Sequence, residues 1–334
     1  MNNVIIVGGG FAGMQTALTL NQLGIGVTLF EREETLGGHV RNWHTLFPDM
    51  SLAEDTLQHM IDAVTSKNID IRFNTEVVDI SKNSVTLKGG EVVAAAAVVI
   101  CSGYKLFDAK LKQEYGYGIY DKVITSADFE KAFKENKVEE ICGGTPKTIA
   151  FVHCVGSRDQ QVQQEHCSRV CCVTGVKQAI KVRKLYPDCE VYNFYMDIRM
   201  FGAGYEEMYR TAQQQYHIHF IRGRVSEVTP KLSGEVLIKT EDTLLARPMR
   251  ISVDLLVLMI GMCAGDDTKT FAASTGITLR PSGFIKPLNS FEGNGLTGVD
   301  GIFMAGCAAA PHNIQETINS GSNVALEVAK YLKK

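Results

Sequence analysis

Residues 4–33, VIIVGGGFAGMQTALTLNQLGIGVTLFERE, leave the chain few folds to choose from. An apolar run, Val4 to Val7, meets Gly8-x-Gly10-x-x-Gly13. A helical pattern over residues 12–22 follows, with Ala12, Leu18 and Leu20 among its apolar positions, and then a second apolar run, Val27 to Phe30. That order predicts strand, tight turn, helix and parallel strand, the start of an α/β fold. Each glycine has a task in a dinucleotide site. Gly8 permits the turn, Gly10 lets backbone approach a pyrophosphate, and Gly13 lets helix and strand pack closely. The helix N-terminus favours the negative charge. Glu31 ends the second strand, where a carboxylate can hydrogen-bond a ribose hydroxyl. The glycine pattern alone is weak evidence, and the elements around it make it strong.

The residues after Glu31 bear on which dinucleotide binds. Gly37-Gly38 closely follows the acid, and "AVVICSGY" (97–104) ends an apolar run on Ser102-Gly103. "GIFMAGC" (301–307) precedes a long final helical pattern that begins Asn313-x-x-Glu316, a capping-box signature. These segments resemble the FAD pattern of two-dinucleotide-domain flavoproteins. The resemblance implies a flavin site built from Gly8, Gly10, Gly13, Glu31, Arg32, Gly37, Gly38, His39, Val77, Ser102, Gly103, Gly306, Cys307 and Ile314. Cys307 stands where that pattern has an aspartate, which removes one carboxylate hydrogen bond to the ribityl chain. The positive end of the final helix is expected to face the pyrimidine side of the flavin.

A second α/β unit begins at Pro146, with "KTIAFVH" and "EVYNFYM" as strands and a helix from about Cys171 to Leu185. The fold class expected is α/β, a thioredoxin-reductase-like flavoprotein with two dinucleotide-binding domains. Residues 1–145 and 250–334 would form the FAD domain, and residues 146–249 an inserted domain. "SVDLLVLMIGM" is read as the return to the first domain, and "IHFIRGRVSEV" as one strand. At the place of a nicotinamide loop stands "CVGSRDQQ", which keeps only Gly156 of a glycine-rich turn. A nicotinamide site of the usual type is therefore expected to be lost.

The same stretch continues to "HCSRVCC", so that Cys154, Cys167, Cys171 and Cys172 are spaced C-x12-C-x3-C-C. The chain has nine cysteines, an odd number that argues against a disulfide framework. Four clustered thiols suit an iron–sulfur cluster or zinc. The adjacent pair can reach one centre only where a helix begins, because side chains one residue apart on a helix diverge by about 100°. Cys101, Cys142, Cys189 and Cys263 are isolated and read as inert core thiols.

"HCVGSRD…HCSRVCC", "EYGYGIYDKVITSADFE" (114–130) and "LGGHV" with "FPD" after it are similar to segments of the heterodisulfide reductase A-subunit family. The resemblance covers almost the whole chain. It implies FAD, one [4Fe–4S] cluster on Cys154, Cys167, Cys171 and Cys172, and electron exchange with partner iron–sulfur subunits of a heterodisulfide reductase-like complex. It also implies a homodimer. Lys177 matches a lysine that the family places near flavin N5, and its plainer reading is a solvated helix lysine beside Lys181 and Lys184. The short form resembles the A subunit of the sulfur-oxidation system, with a lipoate-binding protein as indirect partner.

Net charge is −3 with no basic arm, so no nucleic-acid partner is expected. No apolar run reaches membrane-spanning length, and the first residues show no secretory leader, so a cytoplasmic location is expected. Two other functions fit part of the pattern. An NAD(P)H-dependent thiol or disulfide reductase would face a cysteine pair toward FAD, but leaves Cys154 unexplained. A zinc-stapled flavin scaffold would use the same four thiols structurally.

Overall fold

The structure is a computed structural model, and it describes residues 3–291 and 295–333. The chain divides into two compact units. The first comprises residues 1–41, 54–105 and 263–334, and the second residues 42–53 and 106–262.

The first unit is built on a five-stranded parallel sheet ordered Ile302–Met304, Ala97–Ile100, Asn3–Val7, Gly26–Phe30 and Asp70–Arg72. The opening strand sits centrally, and Val4, Ile5 and Ile6 are wholly buried. That is why the sequence reads as a continuous apolar run rather than an alternating one. Helix Phe11–Gln22 covers one face together with the final helix Ile314–Leu332, and Met14, Ala17, Val324 and Val328 share their core. Asn313 caps the final helix, its side chain accepting from the Glu316 amide at 2.8 Å while the Glu316 carboxylate accepts from the Asn313 amide at 3.0 Å. Both halves of the expected capping box are thus present. An antiparallel sheet, Val77–Ser81, Ser84–Leu87 and Val92–Ala94, also belongs to this unit.

The second unit repeats the plan. Its parallel sheet is ordered His219–Arg222, Glu190–Tyr195, Thr148–Val155, Leu255–Ile260 and Val123–Thr125. Helix Cys171–Leu185 packs on this sheet through Val176, Ala179 and Ile180, and Phe129, Phe151 and Val257 fill the same core. A three-stranded antiparallel sheet, Glu227–Pro230, Val236–Asp242 and Arg247–Val253, belongs to this unit.

The boundaries differ from those read in the sequence. The divisions fall at 105/106 and 262/263 rather than 145/146 and 249/250. The reason is the strand Leu255–Ile260, which inserts between Thr148–Val155 and Val123–Thr125 in the second sheet instead of returning to the first. All of its residues are buried, as a central parallel strand requires, and an apolar run carries no mark of which sheet it will join. Residues 42–53 also belong to the second unit, where Phe47 meets Tyr205 edge to face at 5.5 Å. The expected strand "IHFIRGRVSEV" breaks near Gly223 into His219–Arg222 and Glu227–Pro230.

Phe151 is fully buried at the centre of the second core. Phe151→Ala is expected to lower stability by about 3–5 kcal/mol, read as a shift in the urea unfolding midpoint of the second unit.

Candidate functional site

In the first unit the glycine loop closes as its sequence requires. Gly8 has φ +110°, and a Cβ there would lie 2.4 Å from the Cys101 carbonyl oxygen. A Cβ on Gly13 would lie 1.9 Å from the Gly8 carbonyl oxygen, so helix and loop can touch only through glycine. A Cβ on Gly10 would meet nothing within 4 Å. Gly10 is the N-cap of helix Phe11–Gln22 and has no side-chain cap. The start of that helix is therefore open to a ligand, with first-turn N–H groups to offer it.

Glu31 is buried, with Oε2 accepting from the Gly9 amide at 2.7 Å and Oε1 from the Glu33 amide at 2.9 Å. Gly37 donates to the Gly9 carbonyl at 2.9 Å, and a Cβ on Gly38 would come within 3.5 Å of the Gly10 Cα. The glycine pair thus lies against the glycine loop. His39 follows, with Nε2 donating to the Tyr104 carbonyl at 2.8 Å and its ring stacked on that of Tyr104 at 4.2 Å. Burial holds the His39 pKa below the ordinary imidazole value. The Ser102 hydroxyl is buried without a hydrogen-bond partner, and Gly103 beside it, at φ +74°, has open space where a Cβ would be. A Cβ on Gly306 would meet the Ala12 Cβ at 2.7 Å, which puts the 305–307 turn against the same helix start. Cys307 is buried, with Sγ 3.7 Å from the His312 carbonyl oxygen and 3.9 Å from Thr317 Oγ1.

The open glycines and the orphaned Ser102 hydroxyl fit a bound dinucleotide. The other three expected residues have contacts of their own. Arg32 is exposed and pairs with Asp267 at 3.2 Å. Val77 belongs to the core under the antiparallel sheet. Ile314 begins the final helix and packs on the unit's core.

In the second unit the cysteine stretch occupies the crossover between strand Thr148–Val155 and helix Cys171–Leu185. The strand's pairing register shifts between Val152 and Val155, and Cys154 there has φ +62°. Such a bulge re-aims a side chain. Arg158, Gln163 and Arg169 in the same crossover also have left-handed φ, from +55° to +64°. Non-glycine residues held this way cluster at functional sites. Cys171 and Cys172 are the first two residues of the helix, the place where an adjacent pair can converge.

Three thiols meet. Cys171 forms hydrogen bonds with the sulfurs of both Cys154 and Cys172. The Cys154 and Cys172 pKa values are lowered, in each case first by the hydrogen bond from Cys171 and against the opposing effect of burial. His153 lowers Cys172 further, and Cys171 is pushed well above the ordinary thiol value as the holder of the shared proton. His153 is buried and its Nε2 donates to Asn193 Oδ1 at 2.8 Å. The Arg158 guanidinium lies beside Cys154 and pairs with Asp197 at 2.6 Å. Cys167 is held differently: it is half-buried on the crossover, and its Sγ accepts from the Arg169 amide at 3.3 Å. His166 donates through Nε2 to the Met262 carbonyl at 2.8 Å. Among the described residues no three His, Cys, Asp or Glu side chains are arranged to hold an ion as they stand. Thiols that keep their protons hydrogen-bond to one another, and a metal must displace those protons to bind. The donor set itself is soft sulfur, suited to iron–sulfur or zinc chemistry.

Of the isolated cysteines, Cys101, Cys189 and Cys263 are buried and Cys142 is half-buried. Burial pushes Cys101 and Cys189 up to about 12, which leaves them unreactive.

Lys177 is not a solvated helix lysine. Its Nζ is buried, 2.6 Å from Glu130 Oε1 and 2.6 Å from the Thr45 carbonyl oxygen. Glu130 also accepts from Gln178 Nε2 at 2.7 Å and from the His44 amide at 2.9 Å. Burial opposes the charge of Glu130, but Lys177 outweighs it and holds the carboxyl below its ordinary value. Nothing in the spacing of Glu130 and Lys177 announces this pair.

The sequence pattern of the pyridine nucleotide-disulphide oxidoreductase family matches residues 2–325. The chain belongs to that family. Its similar curated relatives include heterodisulfide reductase A subunits. The iron–sulfur A subunit of the CoB–CoM heterodisulfide reductase of Methanocaldococcus jannaschii is 39% identical over 251 residues, 72% of this chain and 38% of that protein. One of the iron–sulfur A subunits of the CoB–CoM heterodisulfide reductase of Methanopyrus kandleri is 30% identical over 426 residues, 98% of this chain and 64% of that protein. The chain thus spans between about two fifths and two thirds of the length of these curated relatives. Among solved structures, thioredoxin reductase of T. acidophilum matches with a TM-score of 0.70 at 18% identity, covering 100% of both chains. That of Lactococcus lactis matches with 0.70 at 15%, covering 100% of this chain and 99% of its own. The fold is that of the two-dinucleotide-domain flavoproteins, and the chain is an oxidoreductase similar to heterodisulfide reductase A subunits. Among the described residues, no helix is long and apolar enough to cross a membrane.

Glu130→Gln leaves the buried Lys177 ammonium without its counter-charge and is expected to cost about 3–5 kcal/mol at neutral pH. Because the folded-state pKa of Glu130 is depressed, its contribution is present above the ordinary carboxylate range and is lost as pH falls through the folded value. The gap between wild type and Glu130→Gln should therefore narrow in urea unfolding as pH is lowered from 7 towards about 3.

Proposed function

We propose that this flavoprotein is the FAD and [4Fe–4S] electron-transfer subunit of a heterodisulfide reductase-like complex. One observation carries the reading: the bulged end of strand Thr148–Val155 and the start of helix Cys171–Leu185 bring Cys154, Cys171 and Cys172 into mutual hydrogen bonding. Cys167, on the crossover between them, would complete a four-sulfur set. The pKa values of Cys154 and Cys172 are both lowered toward the thiolate, the form that binds metal.

FAD, when bound, supplies two-electron chemistry that can be passed on singly. The chain's own groups do the rest. The glycine loop and the first turn of helix Phe11–Gln22 would bind the pyrophosphate, Glu31 the ribose, and Ser102 a cofactor polar group. Around the cysteines, Arg158 and the Arg199 amide donate toward sulfur, and such donors set a cluster's potential. Lys177 is anchored by Glu130 and the Thr45 carbonyl, and its role toward flavin N5 has the family resemblance as support. The partner iron–sulfur subunits, the homodimer, the cytoplasmic location, the sulfur-oxidation setting and the lipoate-binding protein have the same kind of support.

The competing NAD(P)H-dependent reductase needs a glycine turn after strand Thr148–Val155. The crossover there runs from residue 156 to 170, and a Cβ on its one glycine, Gly156, would strike the Phe107 ring at 2.0 Å. The crossover offers no second or third glycine for a pyrophosphate turn.

Protein purified without oxygen should show flavin bands over a broad shoulder near about 400 nm, with about four irons per chain. Cys171→Ser is expected to lose most of the iron while retaining FAD. Yellow protein that rapidly oxidises NADPH, or yellow protein containing zinc, would overturn the proposal.

A further inference from the structure

We propose that His44 and Lys181, in the second unit, bind a small oxyanion: the phosphate, sulfonate or carboxylate end of a ligand. Neither residue belongs to the cysteine crossover or to the glycine loop.

The buried pair of Glu130 and Lys177 sets the geometry. Glu130 lies on helix Ser126–Lys134 and Lys177 on helix Cys171–Leu185, and their contact at 2.6 Å holds the two helices together. Lys134 and Lys181 each come four residues later, on the same helix faces one turn further along. His44 is held at this place from a third stretch of chain. Its amide donates to Glu130 Oε2 at 2.9 Å, and its ring stacks on that of Phe133 with centroids 6.2 Å apart.

Two groups here have bonding capacity to spare. The His44 Nδ1 is buried without a hydrogen-bond partner. Lys181 is half-buried and has no carboxylate partner among the described residues. The carboxylates around them are engaged or stand off. Glu130 spends Oε1 on Lys177 and Gln178, and Oε2 on the His44 and Thr45 amides. Glu135 is taken by Lys131 at 3.7 Å and Lys137 at 2.7 Å. Asp49, the one acid in residues 42–53, accepts from Ser51. Glu206 and Glu207 are exposed at the start of helix Tyr205–Gln214, whose Tyr205 meets Phe47. The charges acting most strongly on His44 are instead Lys181, Glu130, Lys177 and Lys134. Glu130 and Lys177 offset one another, so the charge remaining near the ring is positive.

Burial first, and then Lys181, lowers the His44 pKa, and Glu130 does not outweigh them. The ring is therefore neutral at pH 7, and the tautomer protonated at Nδ1 is an uncharged donor beside an ammonium. Such a pair suits one oxyanion: the lysine supplies charge and the ring a fixed direction. The surrounding lysines exclude a metal cation.

Inorganic phosphate serves as probe, titrated into the FAD-loaded full chain against chloride at a fixed ionic strength of about 0.15 M. Binding is read from the emission of Trp43, the one tryptophan and the neighbour of His44, and independently by equilibrium dialysis of labelled phosphate. About one phosphate per chain should bind, with a Kd on the order of 1 mM. Lys181→Gln should weaken binding about tenfold and His44→Phe about fivefold, the losses of a charged and a neutral hydrogen bond. Both are read on protein with wild-type flavin content, and His44→Phe keeps a ring against Phe133. Lys184→Gln, exposed further along the helix, should match wild type. Methanesulfonate and acetate compete in separate arms, and the strongest competitor names the head group. No saturable phosphate binding, unaltered binding in either variant, or an equal loss in Lys184→Gln overturns the proposal.

Discussion

The carboxyl end of a central parallel strand, where the chain must turn into a helix, is the constraint on which both units depend. The first unit meets it with Gly8 at φ +110°, packed so tightly on Cys101 that no side chain fits. The second meets it with a register shift and a cysteine at φ +62°. A left-handed non-glycine residue costs roughly 1–2 kcal/mol. In return Cys154 is aimed at the helix that follows. One turn presents bare backbone to a phosphate, and the other presents sulfur.

Buried charge reinforces the second arrangement. Glu130, on helix Ser126–Lys134, binds Lys177 and Gln178 on the cysteine helix and the amide of His44 on segment 42–53. Three stretches distant in sequence are tied to one carboxylate. A pair so deeply buried is weak evidence of net stability, since apolar residues could fill the space. It does fix the register of the cysteine helix relative to its neighbours, because an ammonium without its carboxylate would be left in the core.

The legibility of the sequence followed the reach of each interaction. The first βαβ unit, the capping box at Asn313 and the start of helix Cys171–Leu185 were readable because turns, caps and periodicity are set by residues a few positions apart. The strand Leu255–Ile260 was recognisable as buried, but its sheet was not, because burial on both faces looks the same in either unit. Lys177 looked like one of several helix lysines until Glu130, far back in the chain, was found beside it.

By itself the sequence determined the residue types that the chemistry needs: three glycines at fixed spacing, an acid after the second strand, and four clustered cysteines. It did so because backbone approach and soft-metal ligation each admit few side chains. Only the tertiary structure decided which thiols meet. Cys154, Cys171 and Cys172 share hydrogen bonds, while Cys167 takes an amide from its own loop. That outcome depends on a strand bulge and a helix start lying side by side, and sheet pairing creates such a neighbourhood where spacing cannot.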